Sequence, residues 1–221
     1  PESAEHQCNF VKQVYEECIE HDILMLLEPV AFPFGDEKDT SSETYRKRKA
    51  QTVIDSAVIL SRYCDIYKAE FPGFLDQGSE SEQKENLKAL DEASERPWEL
   101  LSAGVDFPEY EKQVAMAMEY GASGVLGGRA FWKEFFEQGE QSAREEWARS
   151  EAVSRVKKVH DLVYNQGTSW QKRYGLSDED IKSMYASEGW LFRYGATNEE
   201  ALYDKLDAKQ TEGAVAEGDV Y

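Results

Sequence analysis

The sequence predicts an α/β fold built on a parallel sheet. Through the first 139 residues, short apolar runs alternate with amphipathic stretches of helix length. Each parallel pairing needs such a crossover, so the alternation implies strands lying side by side in one direction. The strand candidates also end on Pro, Gly or polar residues, where pairing stops.

The elements follow in order. Phe10, Val11, Val14, Tyr15, Cys18 and Ile19 fall at helical spacing, with one face to bury. Residues 23–27 are an apolar run ending at Glu28-Pro29, too short for a buried helix and read as a buried strand. Residues 31–42 are a loop rich in Phe, Pro, Gly, Asp and Ser. A helix is expected over 43–63, with Val53, Ile54, Ala57, Val58 and Leu60 as its apolar face. A second strand covers 64–69 and closes at Pro72-Gly73. A polar helix over 81–95 leads to a third strand over 98–103, ended by Gly104. Pro108 opens a helix running to about residue 120. Residues 124–128 are a short strand and glycine turn, and a helix over 129–138 leaves that turn. Residues 1–139 thus form one α/β domain. Residues 140–207 are charged and helical, with Trp147, Trp170 and Trp190 spaced among them, and are expected as an extension packed on the outside. Residues 208–221 are small and acidic and are expected to be a flexible tail.

Composition narrows the function classes. The 221 residues are 41% hydrophobic, enough for a core, and carry a net charge of −19. That field disfavours nucleic acid and anionic membranes as partners, but a local cation and backbone N–H groups can still capture a small anion. No stretch reaches the roughly 18 apolar residues of a membrane span. Cys8, Cys18 and Cys64 are odd in number and lack metal-ligand spacing, which points to a reducing, cytoplasmic setting. His6, His21 and His160 are scattered and none ends a strand, so no metal site is expected. The chain opens on Pro1 rather than Met, directly into a helix, which suggests a piece of a longer protein.

In a parallel α/β barrel the reacting groups sit at the C-terminal ends of strands. That rule selects Glu28, Lys68, the stretch 102–104 and the stretch 127–129. A strand-end lysine that loses its proton can attack a ketone and form an iminium, an electron sink for C–C cleavage. Lys68 could equally reach solvent or pair with Glu70. Glu28 could move protons beside it, or serve as a helix cap or plain ion-pair partner. Leu126-Gly127-Gly128-Arg129 is a glycine turn entering a helix, and Ser102-Ala103-Gly104 ends the neighbouring strand. Together they offer N–H groups, a hydroxyl and a guanidinium to a phosphate, although glycines also serve plain turns. The chemistry asks for no cofactor.

These residues carry a resemblance. Leu100-Leu101-Ser102-Ala103-Gly104-Val105, followed by the run from Gly121 to Trp132, resembles the tagatose 1,6-bisphosphate aldolase family of class I aldolases, which includes related sulfofructose-phosphate aldolases. Leu26-Leu27-Glu28-Pro29 and Tyr67-Lys68-Ala69-Glu70-Phe71-Pro72 match that family's fifth and sixth strand ends. The similarity covers roughly residues 10–135 and continues weakly through Thr168-Ser169-Trp170 to Arg173-Tyr174.

The resemblance implies a (β/α)8 TIM barrel of which this chain holds strands five to eight plus the helical extension. By matching position, Lys68 would form the Schiff base and Glu28 would be the acid/base. Ser102, Gly104, Gly127, Gly128 and Arg129 would bind phosphate. The substrate would be a phosphorylated ketose such as tagatose 1,6-bisphosphate, or a sulfofructose phosphate, cleaved to dihydroxyacetone phosphate and an aldehyde, in a homo-oligomer. A transaldolase using the same iminium, or a non-catalytic sugar-phosphate-binding module, would share these residues. Strands one to four have no counterpart here, so about 100 further residues are expected upstream. A half barrel taken alone, with open sheet edges, would be unstable or associated and poorly active.

Overall fold

The computed structural model describes residues 2–183. They fall in two units, Pro1–Gly175 and Leu176–Tyr221, and the site lies in the first. The expected tail over 208–221, Trp190 and the last part of the expected extension lie outside the described residues.

The first unit runs α1 (Glu2–Glu20), β1 (Leu26–Leu27), α2 (Glu43–Leu60), β2 (Ile66–Ala69), α3 (Glu80–Ala93), β3 (Trp98–Leu101), α4 (Phe107–Glu119) and β4 (Gly124–Leu126). The four strands are parallel and ordered β1-β2-β3-β4, so consecutive βα units sit side by side, the arrangement of part of a (β/α)8 barrel. The helices after β4 are α5 (Arg129–Trp132), α6 (Gln141–Trp147), α7 (Val153–Gln166) and α8 (Trp170–Arg173). The second unit contributes α9 (Asp178–Ser183). Among the described residues no strand follows β4.

Local chemistry sets the boundaries. Ser79 and Glu82 form a reciprocal capping box that starts α3. Pro108 sits in the first turn of α4, where its missing N–H costs nothing. The strand expected over 23–27 shrinks to two residues, because Asp22 turns with φ 55° and the Met25 N–H donates to the Asp65 carboxylate at 2.8 Å instead of to a ladder. The third strand ends at Leu101, before Ser102. The helix expected over 43–63 finishes as a 3-10 turn, Ser61–Tyr63. The one expected over 129–138 is only four residues of α-helix before a 3-10 stretch, Lys133–Glu137.

The core lies between one face of the sheet and α2, α3, α4 and α7. Tyr67, Ala69, Trp98 and Leu100 point to that side and are at most 1% exposed. They pack with Leu87, Leu90, Tyr110, Val114, Met118 and Val159. Trp98 keeps its indole N–H satisfied by donating to Asp91 at 2.8 Å. The opposite sheet face carries Ile66, Lys68, Glu99 and Leu101. The apolar face of α1 departs from its expectation: none of its residues is buried, and Phe10 and Ile19 are 60% and 62% exposed.

Residues 168–174 close the N-terminal ends of the strands. Thr168 donates its N–H to the Ala122 carbonyl at 2.8 Å, Arg173 pairs with Asp91, and the Tyr174 hydroxyl donates to the Asp65 carbonyl at 2.7 Å. That end of a parallel sheet serves stability rather than chemistry. No described helix is long and apolar enough to cross a membrane.

Candidate active site

The site forms at the other end of the sheet. The β1–β2 register pairs Leu26 with Ile66 and Leu27 with Tyr67, so Glu28, the next residue, reaches Lys68. The Lys68 ammonium donates to Glu28 Oε2 at 2.7 Å. Their side chains are 18% and 40% exposed, so this pair faces an open cavity rather than a dry one. Lys68 is not paired with Glu70. That carboxylate points away and is held in a buried network.

Glu70 is 5% exposed. Its Oε2 accepts from the Ala31 N–H at 2.6 Å and its Oε1 faces Lys49 Nζ at 3.3 Å. Tyr45 donates its hydroxyl to the Ala31 carbonyl at 3.1 Å. The loop leaving β1, which carries Glu28, is thereby tied to the end of β2 and to α2 through the N–H and the carbonyl of one residue, Ala31. Buried charges are tolerated only when paired and hydrogen-bonded in this way. Local pattern does not reveal this network, because its contacts join residues 14 to 39 positions apart and Lys49 is one of several charged residues in α2.

The phosphate candidates lie at the ends of β3 and β4. Ser102 is 6% exposed and its hydroxyl accepts from the Gly128 N–H at 3.3 Å, joining the two strand ends. Ala103 and Gly104 take positive φ, 46° and 76°, to make the turn. A side chain at Gly104 would meet the Arg129 guanidinium at 2.9 Å, so the glycine leaves room for that group. Arg129 is exposed and makes no ion pair among the described residues. Gly127 differs from its neighbours. A Cβ there would collide with the Phe131 ring, and Gly127 does not line the cavity. Its glycine serves packing. Gly128 has open space beside it and does line the cavity. The expected helix N-terminus is weak, since α5 has only four residues and sums little dipole.

One cavity of about 630 Å³ brings Glu28, Lys68, Ser102, Gly104, Gly128 and Arg129 together, with Lys49 and Glu70 in its wall. Among the described residues no group of three or more His, Cys, Asp or Glu side chains is placed to hold a metal ion. The arrangement suits an amine nucleophile beside a carboxylate, with an anion-holding corner one or two strands away.

A further carboxylate lies in the same row, one that sequence reasoning passed over. The β2–β3 register pairs Lys68 with Glu99. Burial holds the Glu99 carboxyl above its ordinary range, and the Lys68 charge pulls it partway back. A lone charge inside Trp98-Glu99-Leu100-Leu101 was the available signal, since a strand covered on both faces reads as continuously apolar.

Known proteins resemble this chain in sequence. The chain is 34% identical over 185 residues to tagatose 1,6-diphosphate aldolase 2 of Streptococcus agalactiae, covering 74% of this chain and 56% of that protein. It is 31% identical over 182 residues to tagatose 1,6-diphosphate aldolase of Lactococcus lactis, covering 73% and 55%. The chain thus spans little more than half the length of these relatives. A solved Schiff-base-forming fructose-1,6-bisphosphate aldolase superposes with a TM-score of 0.48 at 20% identity, covering 71% of this chain and 52% of that one. The profile of the DeoC/LacD family aldolases matches residues 1–134, and the chain belongs to that family.

Proposed function

We propose that this chain supplies the iminium-forming part of a class I aldolase. The observation that carries the reading is the Lys68–Glu28 pair at 2.7 Å in one cavity with Ser102, Gly128 and Arg129. The relatives named above as tagatose 1,6-diphosphate aldolases point to a phosphorylated ketose as substrate.

The reaction follows from the placement. The Lys68 amine, once free of its proton, attacks the ketone carbon. The carbinolamine loses water, leaving a protonated C=N bond to Lys68. Glu28 takes the proton from the hydroxyl beyond the scissile C–C bond. That bond breaks, its electron pair enters the iminium, and the aldehyde leaves. Protonation of the enamine and hydrolysis release dihydroxyacetone phosphate and restore the amine. Arg129, the Ser102 hydroxyl and the backbone at Gly104 and Gly128 hold a terminal oxyanion, phosphate or sulfonate. The homo-oligomer and the cytoplasmic setting belong to the same proposal. The three cysteines, free thiols in this structure, suit a reducing compartment.

Product analysis of the whole protein tests the reading. With tagatose 1,6-bisphosphate or a sulfofructose phosphate alone, dihydroxyacetone phosphate and an aldehyde should accumulate. Turnover that waits for an added acceptor aldehyde would make the enzyme a transaldolase. Binding without turnover would make it a sugar-phosphate-binding module.

A further inference from the structure

The row across the sheet at the level of Lys68 reads Glu28, Lys68, Glu99, Gly124. Lys68 pairs with Glu99 in the β2–β3 ladder, and Glu99 pairs with Gly124 in the β3–β4 ladder. Partners in a parallel ladder share a face, and neighbouring strands lie about 4.8 Å apart. The residues on either side, Tyr67 and Trp98, are 1% and 0% exposed in the core, which puts Lys68 and Glu99 together on the opposite, cavity-side face. Gly124 makes this possible. A Cβ there would stand 3.3 Å from Glu99 Oε1, so the absent side chain leaves a notch in which the carboxylate rests.

We propose that Glu99 is a positioning residue for Lys68: from the strand opposite Glu28 it steadies the lysine and governs how readily its amine is freed. The inference rests on Lys68 being the iminium-forming lysine. Glu28 sits 2.7 Å from the ammonium and is 40% exposed, so water screens it. Glu99 is less exposed to water, and its charge therefore acts on Lys68 with less screening. Other groups near the row are engaged elsewhere. Lys49 and Glu70 pair with each other, and Arg129 stands at the end of β4 beside Gly104. From α4, the Tyr110 hydroxyl donates to the Leu100 carbonyl; burial holds it protonated, and the Glu99 charge adds to that effect.

An ionised Glu99 favours the ammonium form of Lys68. Lys68 in turn favours the ionised form of Glu99, by the same coupling. Once the iminium forms, its nitrogen keeps a positive charge, and Glu99 is in place as a counter-ion throughout the C–C cleavage.

The test is the pH profile of borohydride trapping of dihydroxyacetone phosphate in the whole protein. In Glu99→Gln the half-maximal pH should fall by roughly one unit, the size expected for removing a neighbouring opposite charge. Glu99→Asp should restore part of the shift. A profile in Glu99→Gln that superposes on the parent's, or moves to higher pH, overturns the proposal. A second measurement leaves Glu99 in place and needs no catalysis. Carbon NMR of labelled glutamate carboxyls should show Glu99 titrating at higher pH in Lys68→Met than in the parent. An unchanged midpoint would also overturn the proposal. If the parent traps no substrate at all, the aldolase reading fails, and this titration alone decides whether Glu99 and Lys68 are coupled.

Discussion

The edge strand β1 and the inner strands β2 and β3 carry equally clear apolar patterns and end up very differently covered. Trp98 and Leu100 of β3 are 0% exposed, whereas Ile23 and Leu24 before β1 are 59% and 63% exposed and Leu26 within it is 39% exposed. The difference is one of neighbours. β2 and β3 have a strand on each side and helices packed behind them, while β1 is an edge strand paired only with β2. Periodicity tells which face of an element needs cover. It does not tell whether the cover is at hand. Exposed apolar edges of this kind invite pairing with further chain.

Core substitutions should separate the two regions most sharply. Trp98→Ala should cost about 3–5 kcal/mol in urea unfolding. Phe10→Ser, on the exposed face of α1, should stay within about 0.5 kcal/mol. A large cost for Phe10→Ser would mean that α1 is covered in the whole protein.

The charge pairs give the next contrast. Lys49 and Glu70, 7% and 6% exposed, are a buried pair, so Lys49→Met should destabilise by roughly 3 kcal/mol. Because Glu70 also holds the Ala31 N–H, the same variant should loosen the loop bearing Glu28 and lower kcat more than it raises KM. Lys12 and Glu16 of α1, 52% and 64% exposed, should contribute under about 0.5 kcal/mol by a double-mutant cycle. Equal coupling energies would erase the distinction.

Within the site, Arg129→Ala should raise KM about 10- to 100-fold with kcat less affected, as expected for a lost charge-assisted contact to an oxyanion. A fall in kcat alone would move Arg129 out of the binding corner.

The smallest effect concerns pH. The folded protein holds the Glu99 carboxyl above its ordinary range, so folding favours its protonated form. Stability from that group is therefore present at low pH and lost as pH rises through the raised folded value. Glu99→Gln removes the loss. The variant should match the parent in acid and gain on it as pH rises through and above the carboxylate range. A variant that loses ground instead would mean that Glu99 is stabilised as a carboxylate.

Much of this is legible in the sequence. The alternation places all four strands, and Pro72-Gly73 and Gly104 fall three residues past the ends of two of them. Lys68 and Glu28 stood out because chemistry in parallel sheets gathers at strand ends. What stayed hidden depends on partners distant in sequence. The link between Lys49, Glu70 and Ala31 spans α2, β2 and a loop, and no local spacing encodes it. Glu99 was one charge in an apolar strand, given meaning only by the register that sets it beside Lys68. Gly127 looked like part of the phosphate turn, but Phe131 claims the space beside it. The α-helix after Gly128 is shorter than its apolar spacing suggests, since that spacing continues into residues that wind as 3-10 turns.

The central claim is that Lys68 forms the covalent bond to substrate. Borohydride reduction of the whole protein with dihydroxyacetone phosphate, followed by peptide mapping by mass, tests it directly. The account predicts an adduct on the peptide containing Lys68 that disappears in Lys68→Met. An adduct on a different lysine, or none in an enzyme that still turns over, would contradict it.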